Sequence, residues 1–291
     1  MRNVTKKLAG GMLAAALATG AFASAQAAEV LLPPAEDWSW TGIFGSFDRA
    51  SAQRGLQVYS QVCAACHAMK QLHYRDLAAL GYDEREIAAY AANYEVTDGP
   101  DADGEMFTRP AKAFDRFVSP FPNELAAAAA NGGAVPPDLS LIVKSRARGH
   151  GDIGTNFLRW MSGRGTASGA DYVYHLLDGG YLEAEEATAW LAAQGRTEAF
   201  ELPSGKYFNK WFPGHAITMA PPLFEGAVEY EDGTAATRAQ MARDVATFLA
   251  WAAEPELETR KETGLKVILF LVILLGVAVA AKRRLWAGVK H

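Results

Sequence analysis

The chain has 291 residues, half of them apolar and 21% charged, with a formal net charge of −5. This excludes a disordered chain, and two cysteines are too few for a disulfide-stapled scaffold. The length allows one or two domains, and the acidic balance argues against a nucleic-acid partner.

The first element in chain order is a leader. Met1–Lys7 carries Arg2, Lys6 and Lys7, Leu8–Ala23 is small and apolar, and Ala25-Gln26-Ala27 is an A-x-A site. A basic head, a short apolar middle and a small-residue cleavage site predict a signal peptide over residues 1–27. The domain behind it is then exported to a compartment where disulfides are permitted. Arg54–Val62 has helical character and leads into Cys63-Ala64-Ala65-Cys66-His67. Asp83–Tyr94 reads as an amphipathic helix with acids in its first turn. Asn123–Asn131 reads as a short helix, with Asn123 as N-cap and Gly132-Gly133 as stop.

Asp171–Leu177 and Glu183–Gln194 are further helices. Thr237–Ala253 is the strongest, with Thr237 and Gln240 spaced as a capping box and Pro255 behind it. Between the helices, 96–122, 132–170 and 196–233 are long loops rich in Gly and Pro, and no stretch alternates as a strand. Loops of that length need more than a self-sufficient core, and a large buried cofactor would serve. The fold class expected is mostly α: a helical domain with long loops and one C-terminal transmembrane helix.

That last helix is Leu265–Ala281, LKVILFLVILLGVAVAA, whose only charge is Lys266. From Leu265 to Trp286 it covers roughly 33 Å, close to the bilayer core. Lys282, Arg283, Arg284 and Lys290 come after it. They predict a cytoplasmic tail over 282–291, behind a linker over 260–264 and an exported domain over 28–259. That domain holds 18 bases against 32 acids, a net charge of −14. Such a field favours a basic protein partner.

Cys63-x-x-Cys66-His67 admits four readings. A zinc site lacks a second cysteine pair, a thioredoxin-like redox pair lacks its βαβ setting, and a disulfide would close too small a loop to contribute much. The fourth is complete: two thiols add across a porphyrin's vinyl groups and the adjacent imidazole turns onto the iron. Cys63 and Cys66 are thus expected to anchor one covalent haem c, with His67 as proximal ligand.

The sixth position decides between carrier and catalyst. A haem enzyme such as a peroxidase needs it open, whereas methionine closes it and raises the potential. Met69 stands too near His67 to reach the opposite face, and Met241 belongs to a helix core. Met219 is favoured, because Pro213 and Pro221-Pro222 stiffen its loop. Met106, Met161 and, as a bis-histidine alternative, His215 stay open. His73, His150 and His175 read as ordinary polar residues.

Five stretches carry a resemblance. They are RGLQVYSQVCAACH (54–67), YEVTDGPDADGEMFTRP (94–110), NGGAVPPDLSLIVKSRARG (131–149), KYFNKWFPGHAITMAPPL (206–223) and DVATFLAWAAEPELETRKETGLK (244–266). In this order, and followed by an apolar anchor, they resemble the cytochrome c1 family, the haem subunits of cytochrome bc1 complexes. The resemblance implies a cytochrome c-like haem domain with Met219 as second ligand and Asn131, Pro136 and Pro137 in the haem-lining loop. It places Arg146 and Tyr172 near a haem propionate, where an arginine fork suits a carboxylate.

The resemblance further implies an electron relay in a dimeric complex with cytochrome b and a Rieske iron–sulfur protein, in a bacterial inner membrane with the haem domain in the periplasm. A basic cytochrome c would dock at an acidic face, with Glu95, Asp98, Asp101, Asp103 and Glu105 as candidates and Asp171, Glu183, Glu185 and Glu186 as further ones. Some bacterial relatives brace the methionine loop with an extra disulfide. This chain has no spare cysteines, so other packing must brace it. Another membrane-anchored monohaem cytochrome, such as an oxidase or nitric oxide reductase subunit, remains the alternative.

Overall fold

Helices dominate the computed structural model, which describes residues 31–148, 153–162, 168–196 and 200–288. The expected signal peptide, His150 and much of 149–169 lie outside the described residues. Nine α-helices can be numbered among the described residues: α1 Arg49–Gln61, α2 Glu84–Ala91, α3 Glu124–Ala130, α4 Ile142–Ser145, α5 Ile153–Ser162, α6 Ser168–Leu177, α7 Ala184–Ala193, α8 Arg238–Ala253 and α9 Leu257–Trp286. Two short antiparallel sheets join them. β1 (Glu95–Asp98) pairs with β2 (Phe107–Pro110), and β3 (Tyr181–Leu182), β4 (Tyr207–Asn209) and β5 (Ala216–Ile217) form a second sheet in sequence order.

The core is the crossing of α1 and α8. Ala52, Leu56, Val58 and Tyr59 on one helix meet Met241, Val245, Phe248 and Trp251 on the other, all buried. The backbones approach closely at Gly55: a Cβ there would stand 2.1 Å from the Asp244 carbonyl oxygen and 2.6 Å from the Phe248 Cβ. Only glycine permits that approach. An ionic knot closes the crossing. Buried Asp244 accepts from Arg54 Nε at 2.9 Å, Ser51 Oγ at 2.7 Å and Gln240 Nε2 at 3.0 Å. Arg54 also reaches Asp232 at 2.8 Å. Full hydrogen bonding is what makes a buried carboxylate tolerable.

Local signals explain most boundaries. Asn123 Oδ1 accepts the Ala126 N–H at 2.9 Å, and Gly132 and Gly133 stop α3 with φ of 61° and 86°. Asp83 and Glu86 form a full capping box on α2. The box expected at Thr237 is half formed. Thr237 Oγ1 accepts the Gln240 N–H, but the Gln240 side chain goes to Asp244 instead.

Other expectations need correction. α1 starts at Arg49, capped by Asp48, and α2 ends at Ala91. The three long loops are not structureless. They hold β1 and β2, α4 and α5, and β4 and β5 respectively. Strands of two to four residues are too short to show alternation. Tyr74–Leu80 adds a 3-10 turn, with Asp76 accepting the His73 N–H at 2.8 Å.

α9 runs 30 residues and takes in 260–264, the expected linker. Its first turns grip the domain. Glu258 pairs with Arg49 at 2.6 Å, and Lys261 Nζ donates to the Trp40 and Gly45 carbonyls at 2.6 and 3.0 Å. Beyond Gly264 its apolar side chains are exposed. It is long and apolar enough to cross a membrane. An exposed apolar surface that large marks contact with something other than water.

Candidate haem site

The attachment turn grows directly from α1. Val62 N–H closes onto the Val58 carbonyl at 2.9 Å, Cys63–Ala65 forms a 3-10 turn, and His67 N–H returns to the Cys63 carbonyl at 2.9 Å. Neither cysteine is in a disulfide; Cys63 is half-buried and Cys66 exposed. Burial, helped by neighbouring Cys66, pushes the Cys63 thiol up to about 12. A reactive redox cysteine has the opposite shift. Among the described residues no group of three or more His, Cys, Asp or Glu side chains gathers to hold a metal ion, so a zinc centre has no donor set there.

His67 is oriented from behind. Its Nδ1 lies 2.8 Å from the Pro137 carbonyl oxygen, so Nδ1 carries the proton and Nε2 keeps its lone pair. Burial lowers the His67 pKa against the pull of that carbonyl, favouring the neutral imidazole that ligates metals. The Tyr59 hydroxyl donates to the His67 carbonyl at 3.1 Å, and Leu139 N–H to the Ala68 carbonyl at 2.8 Å. A cavity of about 110 Å³ opens beside Ala64, walled by Tyr59, Tyr74, Tyr94 and Phe117. Two thiols and a neutral imidazole with its outer nitrogen available fit the attachment side of a haem c.

The loop 131–137, expected to line the haem, runs between Thr218, next to Met219, and His67. Asn131 caps α3 through its Nδ2 bond to the Ala127 carbonyl at 2.8 Å. From there the chain passes Gly132, whose added Cβ would meet the Thr218 methyl at 3.8 Å, and reaches Pro136 and Pro137 at His67. Met219 is half-buried, and its carbonyl accepts from the Tyr181 hydroxyl at 3.1 Å. A small cluster of Ala187, Leu191 and Phe208 packs under the same sheet. Hydroxyl, sheet and cluster together brace the methionine segment without a disulfide.

The other ligand candidates fall elsewhere. His215, at φ 60°, is buried with Nδ1 3.2 Å from the Asn209 carbonyl oxygen and its ring stacked on Phe208 at 5.4 Å. Met106 and Met161 are 59% and 50% exposed, and Met161 lies in α5 rather than in a loop. Met69 and Met241 are fully buried in the core. His73 and His175 face Asp76 and Glu36.

Arg146 caps α4 and stands beside Tyr172 on α6. Burial raises the Tyr172 pKa, and the Arg146 guanidinium, hydrogen-bonded to the phenol, pulls it back. Close packing brings the two helices together: a Cβ on Gly169 would stand 1.7 Å from the Val143 carbonyl oxygen.

The acidic residues divide. Asp98 is paired with Arg109, which also holds Asp115 at 2.6 Å. Asp101 is exposed, and its carboxylate accepts the N–H groups of Asp103 and Glu105 within its own turn at 2.9 and 3.0 Å. Glu95, Asp103 and Glu105 are exposed, as are Glu183, Glu185 and Glu186. Asp171 is no surface acid. It is fully buried and accepts the Trp38 indole N–H at 2.7 Å and the Glu36 N–H at 3.0 Å. It is therefore no docking residue, and only its tertiary partner Trp38 reveals this. Asp138, Ser140 and Tyr181 drew no role from the sequence, because their roles are hydrogen bonds across 38 to 69 residues, and Tyr59, eight residues before His67, was read only as part of a helix.

A helical domain that carries one C-x-x-C-H turn and ends in one apolar helix has the parts of a membrane-anchored c-type cytochrome. Comparison narrows this. Residues 38–289 match the model of the cytochrome C1 family. The chain is 46% identical to cytochrome c1 of Rhodospirillum rubrum over the full length of both. It is 44% identical to the mitochondrial cytochrome c1 heme protein of Saccharomyces cerevisiae, over 88% of this chain and 73% of the relative. It is 46% identical to cytochrome b/c1 of Bradyrhizobium diazoefficiens over 88% of this chain but only 36% of that longer protein. The chain belongs to the cytochrome c1 family.

Proposed function

We propose that this chain is the haem-carrying electron-transfer subunit of a quinol–cytochrome c oxidoreductase, the bc1 complex. The observation that carries the reading is the His67 Nδ1 bond to the Pro137 carbonyl at the end of the Cys63–Cys66 turn, in a chain of this family. Cys63 and Cys66 would bind haem through thioethers, and His67 Nε2 and the Met219 sulfur would be its axial ligands. A haem so held supplies reversible one-electron chemistry.

The protein's own part is to hold and tune. Pro137 orients the imidazole, Tyr181 anchors the methionine backbone, and Arg146 with Tyr172 offers donors to a propionate. No bond chemistry falls to this chain. It takes an electron from a Rieske iron–sulfur protein and passes it to a basic cytochrome c at a face bearing Glu95, Asp101, Asp103 and Glu105, with Asp98 paired to Arg109 beside them. α9 anchors it beside cytochrome b in a bacterial inner membrane, with the haem domain periplasmic, the C-terminus cytoplasmic and the complex dimeric.

The test is detergent extraction of the tagged chain. Recovery with a b-type cytochrome and a Rieske protein, and a pyridine haemochrome spectrum of one doubly thioether-linked haem, is the expected outcome. Covalent haem recovered with oxidase or nitric oxide reductase subunits instead would favour the alternative monohaem reading.

A further inference from the structure

The segment behind His67 is tied to the ligand segment by several hydrogen bonds, and one carboxylate takes part with both of its oxygens. Asp138 uses its two oxygens differently. Oδ1 accepts the Ser140 N–H at 2.9 Å, which closes its own turn. Oδ2 reaches across to the Lys70 N–H at 2.8 Å, three residues beyond His67. A turn-former needs only the first of these bonds. Two more rungs run beside the second: Leu139 N–H to the Ala68 carbonyl at 2.8 Å, and Gln71 N–H to Ser140 Oγ at 3.1 Å. Leu139 and Ser140 are 8% and 1% exposed, so the two flanking rungs are shielded from water, and the Asp138–Lys70 bond extends them to the exposed edge of the segment. The Pro137 carbonyl, next in chain to Asp138, therefore has its position against the imidazole fixed from the far side.

We infer that Asp138, seconded by Ser140, is a positioning residue for the His67 ligand, acting through the Pro137 carbonyl. It clamps segment 137–140 onto segment 67–71 and so sets the strength of the Nδ1–H···O=C bond. That bond governs how strongly the imidazole donates to a metal. Loosening the clamp weakens donation and raises the reduction potential. The inference rests on the haem reading above.

The full chain, purified in detergent with its haem attached, tests it. Exchange of the His67 Nδ1 proton for deuterium is followed by pulsed EPR of the ferric protein, alongside a redox titration, in wild type, D138N, D138A and S140A. Exchange should quicken by about tenfold in D138A, the population change that loss of one such bond brings. It should quicken less in D138N, which keeps one acceptor oxygen. S140A should also exchange faster and titrate at a higher potential, although no charge has changed. Should D138A not fold, D138N and S140A carry the same comparison. Unchanged exchange in the folded variants overturns the positioning role, even if removing the Asp138 charge moves the potential. A wild-type protein with no covalent haem overturns the haem reading, and the inference with it.

Discussion

The two segments proposed as axial ligands are built in different ways. His67 follows a core helix by way of a 3-10 turn, with Tyr59 donating to its carbonyl and Pro137, Leu139 and Asp138 bonded to its segment. Met219 sits in a loop tied by the Tyr181 hydroxyl, a short sheet and a three-residue apolar cluster. Stability and ligand strength should therefore separate. Damage to the α1–α8 crossing costs the whole fold, whereas damage near Met219 costs one ligand and little stability. Local stability differs across a structure in this way wherever one region has few buried contacts.

The hardest test of that contrast is Gly55→Val. Its Cβ would fall 2.1 Å from the Asp244 carbonyl oxygen, forcing α1 off α8. A loss of about 4–5 kcal/mol is expected, at the extreme of single substitutions, and thermal unfolding reads it. Asp244→Ala comes next. It leaves Arg54, largely buried, with one exposed partner, Asp232. Breaking a buried pair from one side costs about 3–5 kcal/mol, measurable by denaturant unfolding. An Arg54→Met, Asp244→Leu double variant should recover much of that loss.

Tyr181→Phe acts on the other region. It removes one hydrogen bond to the Met219 carbonyl, about 1 kcal/mol. The melting temperature should hardly move, while added imidazole should displace the methionine about fivefold more readily, seen by optical titration. A large loss of stability instead would break the contrast.

The smallest effect is acid sensitivity at the crossing. N–H donation from Thr234 and the Arg54 guanidinium hold the Asp232 carboxyl down to about 2. A depressed carboxylate contributes stability above its unfolded pKa of about 3.9 and loses it as pH falls through its folded value. Wild type should therefore lose more stability than Asp232→Asn between about pH 4 and pH 2, measured as denaturant midpoints.

The sequence made the attachment side legible and left its support hidden. Cys63-x-x-Cys66-His67 is local, so spacing alone names the donors proposed here. Asn123, Gly132 and Gly133 mark α3 because caps and stops act within one turn. The clamp from Asp138 and the brace from Tyr181 join segments 68 and 38 residues apart, and no periodicity encodes that. The buried state of Asp171 depends on Trp38, 133 residues away. β1–β5 escaped notice because two to four residues cannot display a period. Charge counting likewise overstated the acidic hairpin, since Arg109 returns from β2 to neutralise Asp98.

Met219 is proposed to ligate the haem iron together with His67. The most direct measurement is the far-red charge-transfer absorption that a thioether sulfur gives ferric haem, recorded for wild type and Met219→Leu. The account predicts that wild type has the band and that Met219→Leu loses it, while haem stays covalently attached at Cys63 and Cys66. An unchanged spectrum in Met219→Leu would contradict it.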